Sequence, residues 1–517
     1  MIPRDLGLEE YGEWRAGQDT AFDFLTGKPS AWKTCALPTG VGKSLLAVTY
    51  AKWLKRPAVI LTSTKALQSQ YMKDFARHGL VEMRGMSNYP CRLWKDEGKD
   101  YDCSLGPCLD DKSCGYKTIG CGYFDQLSLA RRSPIVVTNY AFWFTAARNP
   151  NRPLGDRPLV LCDEAHSAME ELSRFVGVEF SNDEVRLGDK QGWGLDEWRE
   201  WAKEQLIKIK QAIPQAKTFF QLKTLKSMEQ KVARLSVMPA TGWCIDMFES
   251  KSVRFEPIWA RDYVSQYLRQ GAQETVLLSA TIRPYHMDWF GVNDFSFYEV
   301  ESPFPVERRP IHWIPTLRMS RATEGVGFPR LMKRIDDIIR SRPDRKGIIH
   351  TVSFSRARQI VEASEFKDRM DLNVSSNTSS VVDNFKRSNS DRILVSPSID
   401  TGFDFPYRSA DWQIIAKVPF PVPTDPLVAA RSLDDDSYHA KVAVSRLVQM
   451  TGRVMRAEDD MGETFILDDN VNFLVSRYKP FFPRWWRDAY RRTGFVPPAP
   501  DVLASGGPSP KQTKEIQ

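Results

Sequence analysis

The sequence predicts an α/β protein built from two lobes, each with a parallel sheet. Short apolar runs alternate with stretches of helical periodicity, which is the pattern of strands joined by crossover helices. These runs fall into two sets on either side of the turn-rich residues 301–306. A chain of 517 residues also exceeds what one hydrophobic core usually holds, so more than one domain is expected.

The apolar runs place the strands of each lobe. Strands are predicted in the first lobe at residues 34–37, 58–61, 135–137, 160–162 and 276–278, and in the second at residues 347–350, 393–395, 413–416 and 464–467. Each run is short and is followed by a stretch long enough for a helix. The strands within each set are therefore expected to pair in parallel.

Two insertions interrupt the first lobe. Residues 85–130 hold five of the chain's eight cysteines and show no strong periodicity. Residues 171–270 are predicted to be mostly helical, with a break at Pro214. Their lysine-rich stretch, residues 203–231, suits either a solvated helix face or a basic wall beside a nucleic-acid strand. At the other end of the chain, the proline-rich residues 496–517 are predicted to be disordered.

Composition and charge exclude few classes of protein. The hydrophobic content of 42% and the charged content of 26% are ordinary for a globular protein, and no apolar run is long enough to span a bilayer. The N-terminus has no signal pattern, so we expect a cytoplasmic protein with no membrane partner. The net charge of +7 permits a polyanionic partner without requiring one.

Residues 38–44, Pro-Thr-Gly-Val-Gly-Lys-Ser, follow an apolar strand and precede a helical run, as a phosphate loop does. Thr39, Gly40 and Gly42 would let the backbone wrap the phosphates of ATP at a helix N-terminus. Lys43 would reach the β- and γ-phosphates, and the Ser44 hydroxyl would bind Mg²⁺. A leucine stands where the consensus has its first glycine, so the match is incomplete.

The strand predicted at residues 160–162 ends in an Asp-Glu-Ala-His box. Asp163 would hold Mg²⁺, and Glu164 would orient or deprotonate the attacking water. Two acidic residues after an apolar run also occur at ordinary helix starts. The phosphate loop upstream supports the interpretation of this pair as part of a nucleotide site. Residues 279–281, Ser-Ala-Thr, end a further strand and suit the coupling of hydrolysis to movement.

The second lobe supplies two more segments of the predicted site. Gln449, Arg453 and Arg456 share one face of a helix at steps of four and three. Arginines presented to a triphosphate neutralise the charge that develops in phosphoryl transfer, and these two could act only when the lobes close. Gly402 and Asp404 follow a predicted strand and are assigned to nucleotide binding. An exposed cationic helix face is the alternative for the first segment.

In this order the segments resemble the motif series of superfamily 2 helicases over roughly residues 11–470. That resemblance implies RecA-like lobes. Arg15 and Gln18 are similar to the adenine-recognising glutamine motif. Thr64 and Lys65 are similar to the motif that contacts the DNA strand in that family, and Arg356 lies in another helicase-like motif beside a strand end.

The cysteines form an irregular series. Cys103, Cys108, Cys114 and Cys121 are separated by four, five and six residues, and eleven residues separate Cys91 from Cys103. Zinc sites usually contain pairs two to four residues apart, whereas iron–sulfur clusters need four thiolates and accept looser spacing. The spacing favours a [4Fe–4S] cluster, with zinc or metal-free structural thiols as alternatives. Disulfides are disfavoured in a reducing compartment.

Cysteines between the phosphate loop and the acidic box resemble those of the XPD/DinG family of DNA helicases. Residues 88–91 and 121–124 are similar to the family's first and last ligands. With Cys91 and Cys121 as the outer ligands, Cys108 and Cys114 complete the predicted set and Cys103 is spare. A set that keeps Cys103, Cys108 and Cys114 and omits Cys121 stays open.

The resemblance implies a division of the chain and a function. The predicted parts are the first lobe at residues 1–84, 131–170 and 271–300, the iron–sulfur domain at 85–130, a helical arch at 171–270, the second lobe at 301–495 and the tail at 496–517. A monomeric ATP-dependent helicase would move 5′→3′ on single-stranded DNA and open forked or branched DNA in the cytoplasm of a bacterium or phage-infected cell. The cluster would act as a rigid strand-separating element. An ATP-gated DNA-structure-binding protein that does not unwind and a DEAH-type RNA helicase remain the alternatives.

Overall fold

The computed structural model describes residues 1–500 apart from residues 107, 109–113, 119, 249–250, 320–323, 374–377, 389–390, 398–404, 406–408 and 455–460. The strands in this part of the chain are β1 (Trp32–Ala36), β2 (Ala58–Thr62), β3 (Leu80–Glu82), β4 (Ile135–Asn139), β5 (Leu159–Asp163), β6 (Val178–Ser181), β7 (Trp243–Phe248), β8 (Ser252–Pro257), β9 (Glu274–Ser279), β10 (Ser296–Glu299), β11 (Ile311–Leu317), β12 (Gly347–His350), β13 (Met370–Leu372), β14 (Ile393–Ser396), β15 (Trp412–Ile415), β16 (Glu463–Asp468) and β17 (Tyr490–Arg492).

The α-helices lie between these strands in both lobes. They are α1 (Gln18–Gly27), α2 (Lys43–Leu54), α3 (Lys65–Phe75), α4 (Arg92–Asp96), α5 (Gly122–Arg132), α6 (Tyr140–Ala147), α7 (Ala168–Val176), α8 (Leu195–Ala212), α9 (Phe219–Ser236), α10 (Tyr285–Phe290), α11 (Glu324–Arg340), α12 (Phe354–Ala363), α13 (Thr378–Arg387), α14 (Pro426–Asp434), α15 (Tyr438–Thr451), α16 (Asn470–Arg477) and α17 (Arg484–Ala489). Among the described residues, no helix is long and apolar enough to cross a membrane.

Two seven-stranded sheets form the cores of the two lobes. Their strand orders are β10-β1-β9-β5-β2-β4-β3 and β13-β14-β12-β15-β16-β11-β17. Every pairing in both sheets is parallel. The predicted α/β fold with two parallel-sheet lobes is confirmed.

All nine predicted strands coincide with strands of the structure, but five more belong to the two sheets. Four of these, β3, β10, β13 and β17, are the outermost strands of their sheets and have three or four residues each. Their side chains are mostly half-buried or exposed, so the apolar run that marks a central strand is missing. The fifth, β11, contains Pro315, which argues against a strand in sequence.

The insertion predicted to be mostly helical contains a sheet as well. Strands β6, β8 and β7 form a three-stranded antiparallel sheet beside the packed helices α8 and α9. In β8 the buried Val253 and Phe255 flank the exposed Arg254, which is the alternation of a half-buried strand. The expectation of a helical arch is therefore corrected to a mixed α/β insertion, whose core surrounds the fully buried Trp198.

The first sheet brings three predicted motifs to one edge. Strand β9 lies between β1 and β5, with Leu278 paired to both Cys35 and Asp163. Because the strands are parallel, their carboxyl ends lie side by side. The phosphate loop, the acidic box and residues 279–281 each follow one of these ends. The sheet therefore positions all three motifs together.

Candidate functional site

The loop after β1 has the backbone of a phosphate loop. Gly40 and Gly42 have φ angles of +83° and +91°, in the left-handed region that favours glycine, and α2 begins at Lys43. A Cβ at Gly42 would lie 2.5 Å from the side-chain nitrogen of Gln18, so the close approach also requires glycine. The amides at the start of α2 give this end of the sheet the means to bind an anion.

The acidic box lies directly beside this loop. Asp163 ends β5 and is buried, and Glu164 follows with a φ of +49°. Lys43 Nζ lies 3.4 Å from Glu164 Oε1. Burial raises the pKa of Asp163 to about 6, and the nearby Glu164 carboxylate adds to the rise. Three predicted catalytic side chains thus meet at one point, with one of them held in a backbone conformation that side chains rarely adopt.

Two buried tyrosines, which the sequence did not single out, flank the same aspartate. The Tyr71 hydroxyl donates to Asp163 Oδ2 at 2.8 Å, and the Tyr140 hydroxyl donates to the main-chain oxygen of Asp163 at 3.0 Å. Both tyrosines are almost completely buried. Tyrosine on the buried face of a helix is ordinary core composition, so the sequence held no signal for these contacts.

Gln18 braces the phosphate loop in this structure. Its Nε2 donates to the carbonyls of Val41 at 2.7 Å and Gly42 at 3.2 Å, and its Oε1 accepts from the Arg15 backbone N–H at 2.9 Å. Both ends of the amide are engaged by the chain itself, so the geometry does not present this buried side chain for adenine recognition. Arg15 remains exposed at the rim, with Nη1 3.5 Å from the carbonyl oxygen of Gly40.

The second lobe reaches the site through the end of α15. The Gln449 amide contacts His166 Nε2, and His166 Nδ1 lies 2.8 Å from Ser279 Oγ. One residue beyond α15, a Cβ at Gly452 would lie 2.6 Å from Thr39 Oγ1 in the phosphate loop. The lobes are thus in contact across the nucleotide motifs, and His166 links the acidic box to residues 279–281 and to the second lobe.

The arginines of the second lobe are described in part. Burial lowers the pKa of His166, and the charge of Arg453 contributes to the lowering, which places Arg453 near the acidic box. Arg456, Gly402 and Asp404 lie outside the described residues. The predicted pairing of two arginines at the triphosphate therefore stays a prediction for both Arg453 and Arg456.

The predicted nucleic-acid residues differ in exposure. Thr64 caps α3 by accepting from the Leu67 N–H at 3.2 Å, and Lys65 is exposed at the start of that helix. Arg356 is buried, and its guanidinium lies 5.2 Å from the ring centroid of Phe328. Lys65 is therefore available to a phosphate backbone, whereas Arg356 packs inside the second lobe and does not offer its charge to a strand.

Four of the five clustered cysteines lie in two close pairs in the first insertion. Cys103 and Cys121 are buried with their sulfurs 3.9 Å apart, and a Cβ at Gly106 would lie 3.3 and 3.6 Å from the sulfurs of Cys108 and Cys91. Burial raises the pKa of Cys103 to about 12, and the neighbouring Cys121 thiol adds to the rise. Cys103, which the sequence left spare, thus lies inside the group.

The thiols are suitable metal ligands by their chemistry, but their arrangement in space fits a metal site less well. Cys114 is half-buried. Burial raises the pKa of the Cys108 thiol, and the nearby Cys114 adds to the rise. The 3.9 Å sulfur separation equals that of two thiolates on one tetrahedral ion, about 3.8 Å for metal–sulfur bonds of about 2.3 Å. Within the described residues, however, no three His, Cys, Asp or Glu side chains are arranged to hold a metal ion. The donor set suits a cluster or zinc, while the arrangement lacks the third ligand.

Two family models match the chain. Residues 22–188 match the type III restriction enzyme res subunit, and residues 335–489 match a helicase C-terminal domain. The chain is 24% identical over 249 residues to the ATP-dependent DNA helicase DinG of Photobacterium profundum, an alignment that covers 42% of this chain and 35% of that protein. A similar alignment with the ATP-dependent helicase DinG of Mycobacterium tuberculosis is 24% identical over 202 residues and covers 37% and 30%. The chain thus spans about a third of the length of these curated relatives.

Solved structures share the architecture over nearly the whole chain. An XPD helicase aligns with a TM-score of 0.60 at 14% identity, covering 92% of this chain and 98% of that one. Xpd4 of S. tokodaii aligns with a TM-score of 0.59 at 12% identity, with the same coverage. These structures share the two-lobed fold of the chain, with two RecA-like parallel-sheet lobes. In its matched domains and its architecture the chain is similar to XPD/DinG-like superfamily 2 helicases.

Proposed function

We propose that the protein is an ATP-dependent DNA helicase that moves along single-stranded DNA and separates forked or branched duplexes. The observation that carries the proposal is the junction of the lobes at the nucleotide motifs, where Gln449 contacts His166 and His166 contacts Ser279. A site completed by two lobes changes when the lobes move, so hydrolysis and movement are linked. The curated DinG relatives are named as ATP-dependent helicases, which supports the same activity here.

The chemistry follows from four side chains of the first lobe. Ser44 and Asp163 would hold the Mg²⁺ of Mg-ATP, which would neutralise charge on the phosphates, and Lys43 would bind the phosphate oxygens. Lys43 now lies beside Glu164, so binding of the triphosphate moves this cation from the carboxylate to the phosphates. Glu164 is then free to orient the attacking water and accept its proton. Arg453 neutralises the charge that develops on the phosphoryl group.

Movement along DNA follows from opening and closing of the lobes. Closure brings α15 of the second lobe onto the phosphate loop, where Gly452 already packs against Thr39. Release of phosphate removes the charge that holds the lobes together, so they separate. Non-specific contacts such as Lys65 with a DNA phosphate let each cycle shift the strand. A direction of 5′→3′ is part of the proposal and rests on the family resemblance.

The cysteine group is proposed to hold a [4Fe–4S] cluster with four ligands drawn from the five thiols. Cys91, Cys108, Cys114 and Cys121 were assigned from the sequence, and the position of Cys103 adds it to the candidates. A bound cluster would cross-link the insertion into a rigid element that separates the strands. The counts of iron and zinc per chain in anaerobically purified protein, with the visible absorption spectrum, decide between a cluster and zinc.

The division of the chain is proposed as the sequence suggested, with the first lobe at residues 1–84, 131–170 and 271–300, and the second lobe at 301–495. The insertion at 85–130 carries the thiols, and the mixed insertion at 171–270 takes the position of the arch. Residues 496–517 form the proposed tail, of which Pro497 accepts a hydrogen bond from Arg342 at 3.3 Å. The protein is proposed to act as a monomer in the cytoplasm.

The function is tested by ATP hydrolysis with and without single-stranded DNA and by displacement of a labelled strand from a fork. The proposal expects DNA-stimulated hydrolysis and ATP-dependent displacement, with a blocked 3′ or 5′ tail deciding the direction. Stimulated hydrolysis without displacement would instead favour an ATP-gated DNA-structure-binding protein. Preference for RNA over DNA would favour a DEAH-type RNA helicase.

A further inference from the structure

Tyr71 occupies a particular place in the first lobe. It lies on α3, in the segment after β2 whose first residues are predicted to contact DNA, yet its own side chain points the other way, into the nucleotide motifs. Its hydroxyl donates to Asp163 Oδ2 at 2.8 Å. The phenol thus holds directly the carboxylate that is expected to hold Mg²⁺.

The contact is well protected from solvent. Tyr71 is 0% exposed and its ring packs against Phe75, with centroids 6.1 Å apart, so the hydroxyl has little freedom to leave the carboxylate. Asp163 Oδ1 accepts from the Glu164 backbone N–H at 2.9 Å. Each oxygen of the Asp163 carboxylate therefore has a defined donor, and the orientation of the whole group is fixed. Groups that orient a metal-binding carboxylate commonly set metal affinity as well.

We propose that Tyr71 is a positioning residue for the magnesium ion of Mg-ATP: its hydroxyl holds the Asp163 carboxylate in the orientation that the ion requires. The inference rests on the proposed hydrolysis of ATP at this site. It adds a link that the sequence motifs do not contain, because α3 connects the metal site to the segment that begins with Thr64 and Lys65. A shift of α3 on DNA binding would reach the magnesium ion through this one hydroxyl.

A matched control is available in the same surroundings. Tyr140 is also buried, and its hydroxyl donates to the main-chain oxygen of Asp163 at 3.0 Å instead of to the carboxylate. Replacing either tyrosine by phenylalanine removes one oxygen and one hydrogen bond next to Asp163. Only Tyr71→Phe releases the carboxylate itself. A general loss of packing or stability would affect the two variants alike.

The test measures the magnesium concentration that gives half-maximal ATP hydrolysis. In Tyr71→Phe it should rise by about 10- to 100-fold, the usual effect of losing a group that orients a metal ligand, while kcat at saturating magnesium stays near that of the unaltered protein. Tyr140→Phe should leave the half-saturation concentration unchanged. An unchanged value in Tyr71→Phe, an equal rise in both variants, or tighter magnesium binding in Tyr71→Phe would each overturn the inference.

Binding of Mn²⁺ in the presence of ADP, followed by electron paramagnetic resonance, gives the same comparison without turnover. If the unaltered protein does not hydrolyse ATP, the proposed function fails, whereas weaker Mn²⁺ binding by Tyr71→Phe than by Tyr140→Phe still supports the role of Tyr71. If Tyr71→Phe does not fold, near-ultraviolet difference spectra of the unaltered protein and of Tyr140→Phe test the inference instead. Addition of Mg²⁺ to the ADP-bound protein should perturb a buried tyrosine in both, and a spectrum without that band would overturn the inference.

Discussion

The nucleotide cleft and the cysteine group are built in different ways, although both collect residues that are far apart in the sequence. In the cleft, Asp163 and Ser279 end neighbouring strands of one parallel sheet and Lys43 starts the helix after a third. In the cysteine group the sulfurs lie on loops and short helical turns, such as the one at Cys103–Leu105. The sheet fixes the first arrangement, whereas the second depends on a few local contacts.

This difference affects what each site needs from a ligand. The strand register places the motifs of the cleft side by side before any nucleotide binds. The thiols converge, but no three in the described residues have a metal-binding arrangement. A metal that binds thiolates also stabilises the fold around it, because the unfolded chain has no preformed site. Removal of the proposed metal should therefore destabilise the cysteine-rich insertion, and the nucleotide motifs should keep their arrangement.

The largest expected effect is the loss of hydrolysis when the cleft loses Glu164. Glu164→Gln keeps the size of the side chain but removes its ability to accept a proton, so the rate of ATP hydrolysis should fall by about 10²- to 10⁴-fold. Glu171→Gln on the following helix is the control, since Glu171 lies 3.6 Å from Arg174 and outside the nucleotide motifs. Substantial DNA-stimulated hydrolysis by Glu164→Gln would count against the assignment of the cleft.

The next effect concerns metal in the insertion. Cys103→Ser should reduce the metal content per chain as strongly as Cys121→Ser, because the two sulfurs lie 3.9 Å apart inside the buried part of the group. Cys244→Ser, at a buried thiol of the other insertion, should retain the metal. Metal analysis and the visible spectrum give the result. Full metal content in Cys103→Ser would restore the sequence-based assignment, in which Cys103 is spare.

The same difference explains which parts of the molecule the sequence could predict. The phosphate loop and the acidic box follow buried strands, and an apolar run in the sequence indicates where such a strand ends. Gln18 shows the limit, since the motif indicates a nucleotide-binding amide but the bonds to Val41 and Gly42 are visible only in three dimensions. For the cysteines, spacing along the chain says nothing about which sulfurs the loops bring together.

A smaller effect, on the stability of the cleft, should appear in acid. His286 is buried beside Tyr285, and burial lowers its pKa to about 3. The unfolded chain binds a proton near pH 6.5 that the folded chain excludes, so the stability from this group is complete above pH 6.5 and is lost as the pH falls towards 3. Each pH unit in that window should cost up to about 1.4 kcal/mol of the free energy of unfolding.

Denaturant unfolding between pH 8 and 4.5 checks this expectation. His286→Asn removes the proton, so its stability should decline less steeply than that of the unaltered protein below pH 6.5, while the two curves should run parallel above pH 7. Equal slopes in acid would show that His286 takes up its proton without unfolding the cleft.

The smallest expected effect lies where the two insertions touch. Trp94 of the cysteine-rich insertion and Phe219 of α9 form an edge-to-face pair with centroids 6.2 Å apart, and Tyr101 and Phe220 form a second at 5.7 Å. Such a pair contributes about 0.5–1.5 kcal/mol, so Phe219→Leu should loosen this junction slightly and make the insertion more sensitive to limited proteolysis. Phe248→Leu, at an exposed position on β7, is the control. A double-mutant cycle with Trp94→Leu measures the coupling. A coupling energy near zero would mean that the Trp94–Phe219 pair does not join the two insertions, whereas a clear coupling would mean that the neighbouring insertion helps to hold the cysteine-rich one in shape.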